Sequence, residues 1–209
     1  MSRQDIVLIG AGGHCRSCID AIESEGRWRI AAIVGQAAQL GISILGYPID
    51  AVDADLPALR QRFAHALVTV GQIDSAALRM RLFQDALVLG FNFPVVKASS
   101  AYVSAHASLG AGTLVAHGAI VNAGAKIGEN CIVNSRALIE HDATIGSHCH
   151  ISTGAVLNGN VHVGDGSFIG SGAVIRESLQ LGEQCFIAMG MTVRDAVPAF
   201  SRISGRTQL

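Results

Sequence analysis

One histidine in this 209-residue chain has the neighbours that proton-transfer chemistry needs. His141 stands in Leu138-Ile139-Glu140-His141-Asp142. A carboxylate beside an imidazole favours the charged ring and fixes its tautomer. A base so supported, near an open backbone N–H, suits acyl transfer to an amine or a hydroxyl. A solvated His–Asp turn is the plainer reading of the same residues. A second candidate lies near the start of the chain, at Gly10-Ala11-Gly12-Gly13-His14. Glycines followed by helix N–H groups attract phosphate and let a ligand approach closely. Gly10 and Gly12 fill two places of a dinucleotide fingerprint, but Cys15 takes the third and no acidic residue follows the second strand, where Gly35-Gln36 stands. NAD is therefore not expected, and a phosphate-bearing ligand stays open.

The elements that must position these residues differ between the two halves. From Val103 to Val193 every sixth residue is aliphatic without a break, sixteen positions in register. A period of six fits neither an α-helix nor a heptad; it fits a solenoid of short parallel strands, the hexapeptide type of β-helix. The residue two before each aliphatic is usually small (Ala119, Ala125, Cys131 and Ala137, for example), and alternation puts both on the inside. Glycine recurs one place after the aliphatic, as at Gly110, Gly128, Gly146, Gly164, Gly170 and Gly182. There we expect the corner, with φ > 0. Three rungs make a triangular coil of 18 residues, so sixteen rungs give just over five coils, a column about 25 Å tall.

The first third reads as a small α/β domain with a parallel, Rossmann-like sheet. Expected strands are Ile6–Ile9, Arg29–Val34, Ala66–Val70 and Phe91–Val96; expected helices are Cys15–Ser24, Leu56–Ala64 and Ser75–Leu89. The domains are then 1–97 and 98–209, joined where the period of six begins.

Composition narrows the functions. The chain is 50% hydrophobic, 15% charged and 5% aromatic, as a β-solenoid interior of Val, Ile, Leu and Ala requires. A net charge of −1 gives no reason to expect nucleic acid or an anionic membrane as partner. The chain has no long apolar run and no signal-peptide pattern, so a cytoplasmic protein is expected. Cys131, Cys149 and Cys185 occupy small inward positions, and Cys15-x-x-Cys18 reads as helix packing in a reducing compartment. Six histidines lie in or beside the solenoid: His106, His117, His141, His148, His150 and His162. Residues 18 apart stack, and no histidine stacks on another; His141 meets Ala123 and Gly159. Zinc needs three or four converging ligands, so no metal is expected. Gly159 leaves space beside the His141 ring.

Strand plus Gly-x-Gly-Gly-His, Val70-Gly71, and the segment from Asn134 to Asp142 within the repeats resemble the bacterial nucleotide-sugar acetyltransferases of the hexapeptide-repeat superfamily. The similar branch holds bacillosamine and perosamine N-acetyltransferases and sialic-acid O-acetyltransferase-like proteins. The resemblance spans Ile6 to about Gly205. It implies a left-handed parallel β-helix and a homotrimer with acetyl-CoA between neighbouring columns. It also implies a nucleotide-linked amino sugar (UDP-, dTDP- or GDP-linked) bridging the N-terminal domain and the column. His141 becomes the general base, Asp142 its support and the Gly159 N–H the oxyanion donor. Gly12, Gly13, His14 and Gly71 hold the nucleotide sugar, with Gly35 and Gln36 where the family carries two aspartates near the nucleotide. Asn134 is a polar position close to the base. His150, Ser171, Met189 and Gly190 line the acetyl-CoA groove. The family's Gly-x-Pro-Ala ending is Gly205-Arg206-Thr207-Gln208 here, and Arg202 and Arg206 are candidates for the 3′-phosphate. The family's His-Pro-Ser-Ala entry to the column is Ala98-Ser99-Ser100-Ala101. Sugar O-acetylation, a catalytically silent sugar-binding scaffold and a metal-dependent hydratase are the competing functions.

Overall fold

The computed structural model describes residues 3–205; Arg206, Thr207 and Gln208 lie outside them. The N-terminal sheet is built from β1 (Gln4–Ile9), β2 (Trp28–Gly35), β3 (Ser43–Ile44), β4 (Tyr47–Val52) and β5 (His65–Val68), in the order β3-β4-β2-β1-β5. All neighbours are parallel except the β3–β4 hairpin. Helices α1 (Gly13–Glu25), α2 (Leu56–Arg62) and α3 (Ala77–Val88) connect the strands. Alternation along β1 sends Ile6 and Leu8 to one core with α1, and Val7 and Ile9 to the other with α3. Cys15, Cys18, Ile19 and Ile22 form the buried stripe of α1, so the Cys-x-x-Cys pair is core packing. Gly26, at φ 72°, ends that helix with its N–H on the Ile22 carbonyl.

Two expectations fail here. The β3–β4 hairpin falls where no strand was expected. Phe91–Val96 is not a strand: Asn92 alone bridges to His65, and Phe91 and Phe93 turn into the α3 core. Pro94 has no N–H to give a ladder. Val96–Lys97 instead form the first rung of the column, pairing with Leu114–Val115.

The column is a parallel β-helix of two-residue strands. Successive partners are 18 apart, as in Ile120↔Leu138 and Leu138↔Val156. The final turn is shorter, since Phe186 pairs with Arg202. The aliphatic series and the small residues two before it share one interior cluster, with Val103 and Leu109 only partly buried at the open end. Each fully buried Ile, Leu or Val contributes about 1.5–3 kcal/mol over an exposed one.

The corners correct the glycine reading. Positive φ falls three places after the aliphatic, at Gly124, Asn130, Arg136, Asp142, His148, Gly154 and their equivalents. The glycines one place after it are needed for close approach. A Cβ at Gly128 would stand 2.6 Å from the Ser147 nitrogen, and one at Gly170 would stand 2.5 Å from the Met189 nitrogen. Stacked backbones leave no room there.

The three faces differ in what they present. The docking face carries Leu114, Ile132, His150, Phe168 and Phe186 outward, and the N-terminal domain covers its first coils. Arg79 of α3, 1% exposed, fastens the two domains: its guanidinium donates to Asn130 O at 2.9 Å, to Asn130 Oδ1 at 2.8 Å, and to the Val68 and Val70 carbonyls. The next face carries an outward ladder of Tyr102, Ile120, Leu138, Val156 and Val174, none fully buried. The third carries Ser108, Lys126, Thr144, His162 and Gln180. A single chain therefore has one covered, one apolar and one polar face. No helix among the described residues is long and apolar enough to cross a membrane.

Candidate active site

His141 and Asp142 sit on the corner between the apolar and polar faces. Asp142 takes the left-handed corner conformation, φ 60°, with its N–H on the Ala123 carbonyl. Its carboxylate lies over Gly124 of the preceding coil, where a Cβ would collide with Oδ1. His141 Nδ1 lies 2.9 Å from Asp142 Oδ2, so Nδ1 carries the proton and Nε2, left as the acceptor, lies over Gly159. That hydrogen bond, aided by the charges of Asp142 and Glu140, raises the imidazole pKa above its ordinary value. Glu140 Oε2 accepts Asn122 Nδ2 at 2.9 Å and the His141 N–H at 3.3 Å, which holds the turn. Gly159 stands one coil later, and its N–H donates to no group among the described residues. The His141 side chain is 65% exposed: the ring leaves its own column.

The remaining candidates gather elsewhere. Gly12 precedes α1 as its N-cap, Gly13 opens the helix, and a Cβ on either would meet nothing within 4 Å. Gly71 is packed on His14, whose Cβ would be 3.3 Å from a Cβ at 71. The His14 ring is 6.3 Å from that of His150, centroid to centroid. His14 Nε2 is buried with no hydrogen-bond partner among the described residues, and burial pushes the His14 pKa down to about 3. His150 Nδ1 donates to the Gln72 carbonyl at 2.7 Å, and its Nε2 accepts Asn134 Nδ2 at 3.2 Å. Burial holds this ring neutral, with a pKa of about 4.

Asn134, Ser171, Met189 and Gly190 all lie on the corner between the docking and apolar faces, and His150 adjoins it. Ser171 Oγ meets Ser152 Oγ at 2.9 Å. Met189 is 79% exposed, and Gly154, Gly172 and Gly190 stack with open space where a Cβ would stand. The corner is thus a shelf free of side chains at three successive glycines.

Within one chain, then, Asn134 is not beside His141: the whole apolar face separates their corners. Arg202 is also not free for a phosphate, since it donates to Asp74 Oδ1 at 2.9 Å and covers the Phe186 ring at 4.0 Å. Gly35 is packed tightly, and a Cβ would lie 2.8 Å from Ile49 Cγ2 and 2.9 Å from Ala11 Cβ. Gln39, absent from the sequence reading, pins this loop by accepting the Gln36 N–H and donating to the Ala11 carbonyl. Gln72 was missed as well; nothing in its surroundings in sequence marks it as the partner of His150. No group of three or more His, Cys, Asp or Glu among the described residues is arranged to hold a metal ion.

Residues 5–86 match the PglD N-terminal domain, and residues 124–159 and 142–177 match the bacterial transferase hexapeptide (six repeats). A perosamine N-acetyltransferase from Caulobacter crescentus, solved as a histidine-to-asparagine variant with CoA and GDP-perosamine, is 31% identical; the match covers 99% of this chain and 96% of that one, with a TM-score of 0.91. The chain belongs to the hexapeptide-repeat sugar N-acetyltransferases. Within this family, the acetyltransferase domain of PglB from Neisseria gonorrhoeae, solved with acetyl coenzyme A, is 29% identical over 98% of this chain and 97% of that one, with a TM-score of 0.89. WeeI from Acinetobacter baumannii, 21% identical over 98% of each chain with a TM-score of 0.82, shares the fold. A search of curated proteins found no match.

Proposed function

We propose that this acetyltransferase moves an acetyl group from acetyl-CoA to the amino group of a nucleotide-linked amino sugar, at sites shared between two copies of a homotrimer. One observation carries the reading. An exposed imidazole, backed by Asp142 and with Nε2 unbonded, stands at one edge of an unpartnered apolar face, and the His14–His150–Asn134 group stands at the other. Turning that face of three copies toward a common axis closes a ring of identical contacts. It buries the Tyr102–Val174 ladder and brings the His141 edge of one copy to the Asn134 edge of the next. The glycine shelf fits the long arm of acetyl-CoA. The N–H groups of Gly12, Gly13 and His14 fit the sugar-linked phosphates.

In this arrangement the amine nitrogen attacks the thioester carbonyl carbon. His141 Nε2 takes the amine proton as the N–C bond forms. The Gly159 N–H donates to the carbonyl oxygen as it gains charge, the C–S bond breaks, and the imidazolium returns the proton to the leaving sulfur. Asp142 holds the ring and stabilises its charged form. Five free, buried cysteines fit a reducing cytoplasm. Thiol release from acetyl-CoA against a panel of UDP-, dTDP- and GDP-linked amino sugars tests the reading. Turnover with at least one is expected. Silence across the panel, with hydroxyl acceptors active, contradicts it.

A further inference from the structure

The loss of an acidic residue after β2 leaves the nucleotide-reading group of this chain unassigned, and the cleft around the glycine loop contains a replacement. A cavity of ≈ 660 Å³ opens at the carboxyl ends of the parallel strands, where ligands of such sheets bind. Gly10 to Gly12, Gly35, Gln36 and Asp53 line it together with Leu78 and Arg81 of α3, and the strand order β1-β2-β4 runs from the glycine loop past Gly35 to Asp53. Tight packing around Gly35 excludes a side chain there. Asp53 follows β4 immediately, and its carboxylate has no hydrogen bond or ion pair among the described residues. Its neighbour Asp55 is different: that carboxylate accepts the Val52 N–H and is used up by the turn.

The strand order fixes how far each group stands from the phosphates. In dinucleotide folds an acidic residue one strand away from the glycine loop meets the ribose. Here β2 is that strand and β4 is the next one out. Two strand spacings, about 10 Å, carry past the ribose to the base. A carboxylate only accepts hydrogen bonds, so it matches a base edge with two adjacent donors. Guanine has such an edge, in N1–H and the 2-amino group. Uracil and thymine offer one N–H between two carbonyls, which a carboxylate repels. Cytosine and adenine offer one amino group beside an unprotonated ring nitrogen.

We propose that Asp53 is the base-selecting residue of this enzyme and that the cleft prefers a guanosine diphosphate-linked sugar. Arg81 supplies a flat cation that stacks on the base, and Leu78 an apolar wall. The inference rests on the reading that the acceptor is nucleotide-linked.

Calorimetry with GDP, UDP and dTDP on the wild-type protein and on Asp53→Asn tests it, with acetyl-CoA binding measured on both to show an intact fold. GDP is expected to bind wild type at least about tenfold more tightly than UDP or dTDP. Asp53→Asn is expected to weaken GDP by roughly 10–100-fold, with UDP changed by less than about threefold and acetyl-CoA unchanged. Equal affinities in wild type, or a GDP preference that survives Asp53→Asn, overturn the assignment of Asp53 and leave the acetyltransferase reading standing. If none of the three nucleotides binds while acetyl-CoA does, the nucleotide-linked acceptor itself is overturned, and Asp53 with it.

Discussion

Gly159 lies one coil beyond His141, and a Cβ on it would stand 2.6 Å from the imidazole Nε2. The glycine thus keeps clear the atom that takes the proton in the proposed mechanism. Gly159→Ala is expected to push the ring from its position and lower kcat by roughly 10²-fold, within the range for a displaced general base. The oligomeric state and acetyl-CoA binding should be retained. Steady-state kinetics beside sedimentation checks this, and an alanine variant with wild-type kcat would show that Nε2 needs no such clearance.

On the proposed mechanism, Asp142 sets the pH at which His141 works. A general base acts when neutral, so activity rises as pH climbs through its pKa. The Asp142 hydrogen bond raises that pKa above its ordinary value. The acid limb of kcat/KM is therefore expected above the usual histidine value of about 6.5. In Asp142→Asn it should move to lower pH, with a lower plateau because the ring is less basic and less well held. A limb that stays in place would remove Asp142 from this role.

His150 and His14 are shifted the opposite way from His141, and they make stability, like activity, fall on acidification. Burial depresses both pKa values, to about 4 and about 3, so the folded state prefers the neutral rings. The unfolded chain binds protons first as pH falls below about 6.5. Stability is then lost between about pH 6.5 and 4, by up to roughly 3 kcal/mol for His150 alone. Urea unfolding at pH 7 and pH 4.5 is expected to show a smaller loss in His150→Gln than in wild type. Equal losses would mean that His150 protonates freely in the fold.

Two classes of glycine in the column should respond differently to one substitution. Gly154 has φ +66° and open space at its Cβ position, and Asn tolerates that conformation. Gly154→Asn is expected to cost less than about 1 kcal/mol. Gly128 abuts the next coil's backbone, so Gly128→Asn should cost more than about 2 kcal/mol through overpacking. Thermal unfolding of the pair decides it, and similar losses would contradict the assignment of corner and contact positions.

That distinction also marks what the sequence could and could not reveal. The period of six was visible because each aliphatic fills the same inward slot; the same burial produces the interior cluster. The corner was misread because Asn130, Arg136, Asp142 and His148 also adopt positive φ, hiding the position that glycine alone would have marked. The His141–Asp142 pair was legible because its partners are neighbours in the chain. Gln72–His150 was not, since 78 residues separate them and the bond uses a backbone carbonyl that any residue supplies. The hairpin at Ser43–Val52 escaped because its first strand is two residues long. Phe91–Val96 looked like a strand on composition, while Pro94 and the pull of two aromatic rings toward α3 decided otherwise.

Subunit complementation tests the shared site most directly. His141→Ala disables one edge of the apolar face, and Gly12→Asp, which sets a negative charge at the phosphate loop, disables the other half of the site. Each variant alone should be inactive. Co-expressed and purified as mixed trimers, they should regain about a third of wild-type activity, because one of the three sites in each mixed trimer joins an intact His141 to a neighbour's intact loop. Mixed trimers as inactive as the parents would mean that His141 serves the loop of its own chain, and the two-copy site would have to be abandoned.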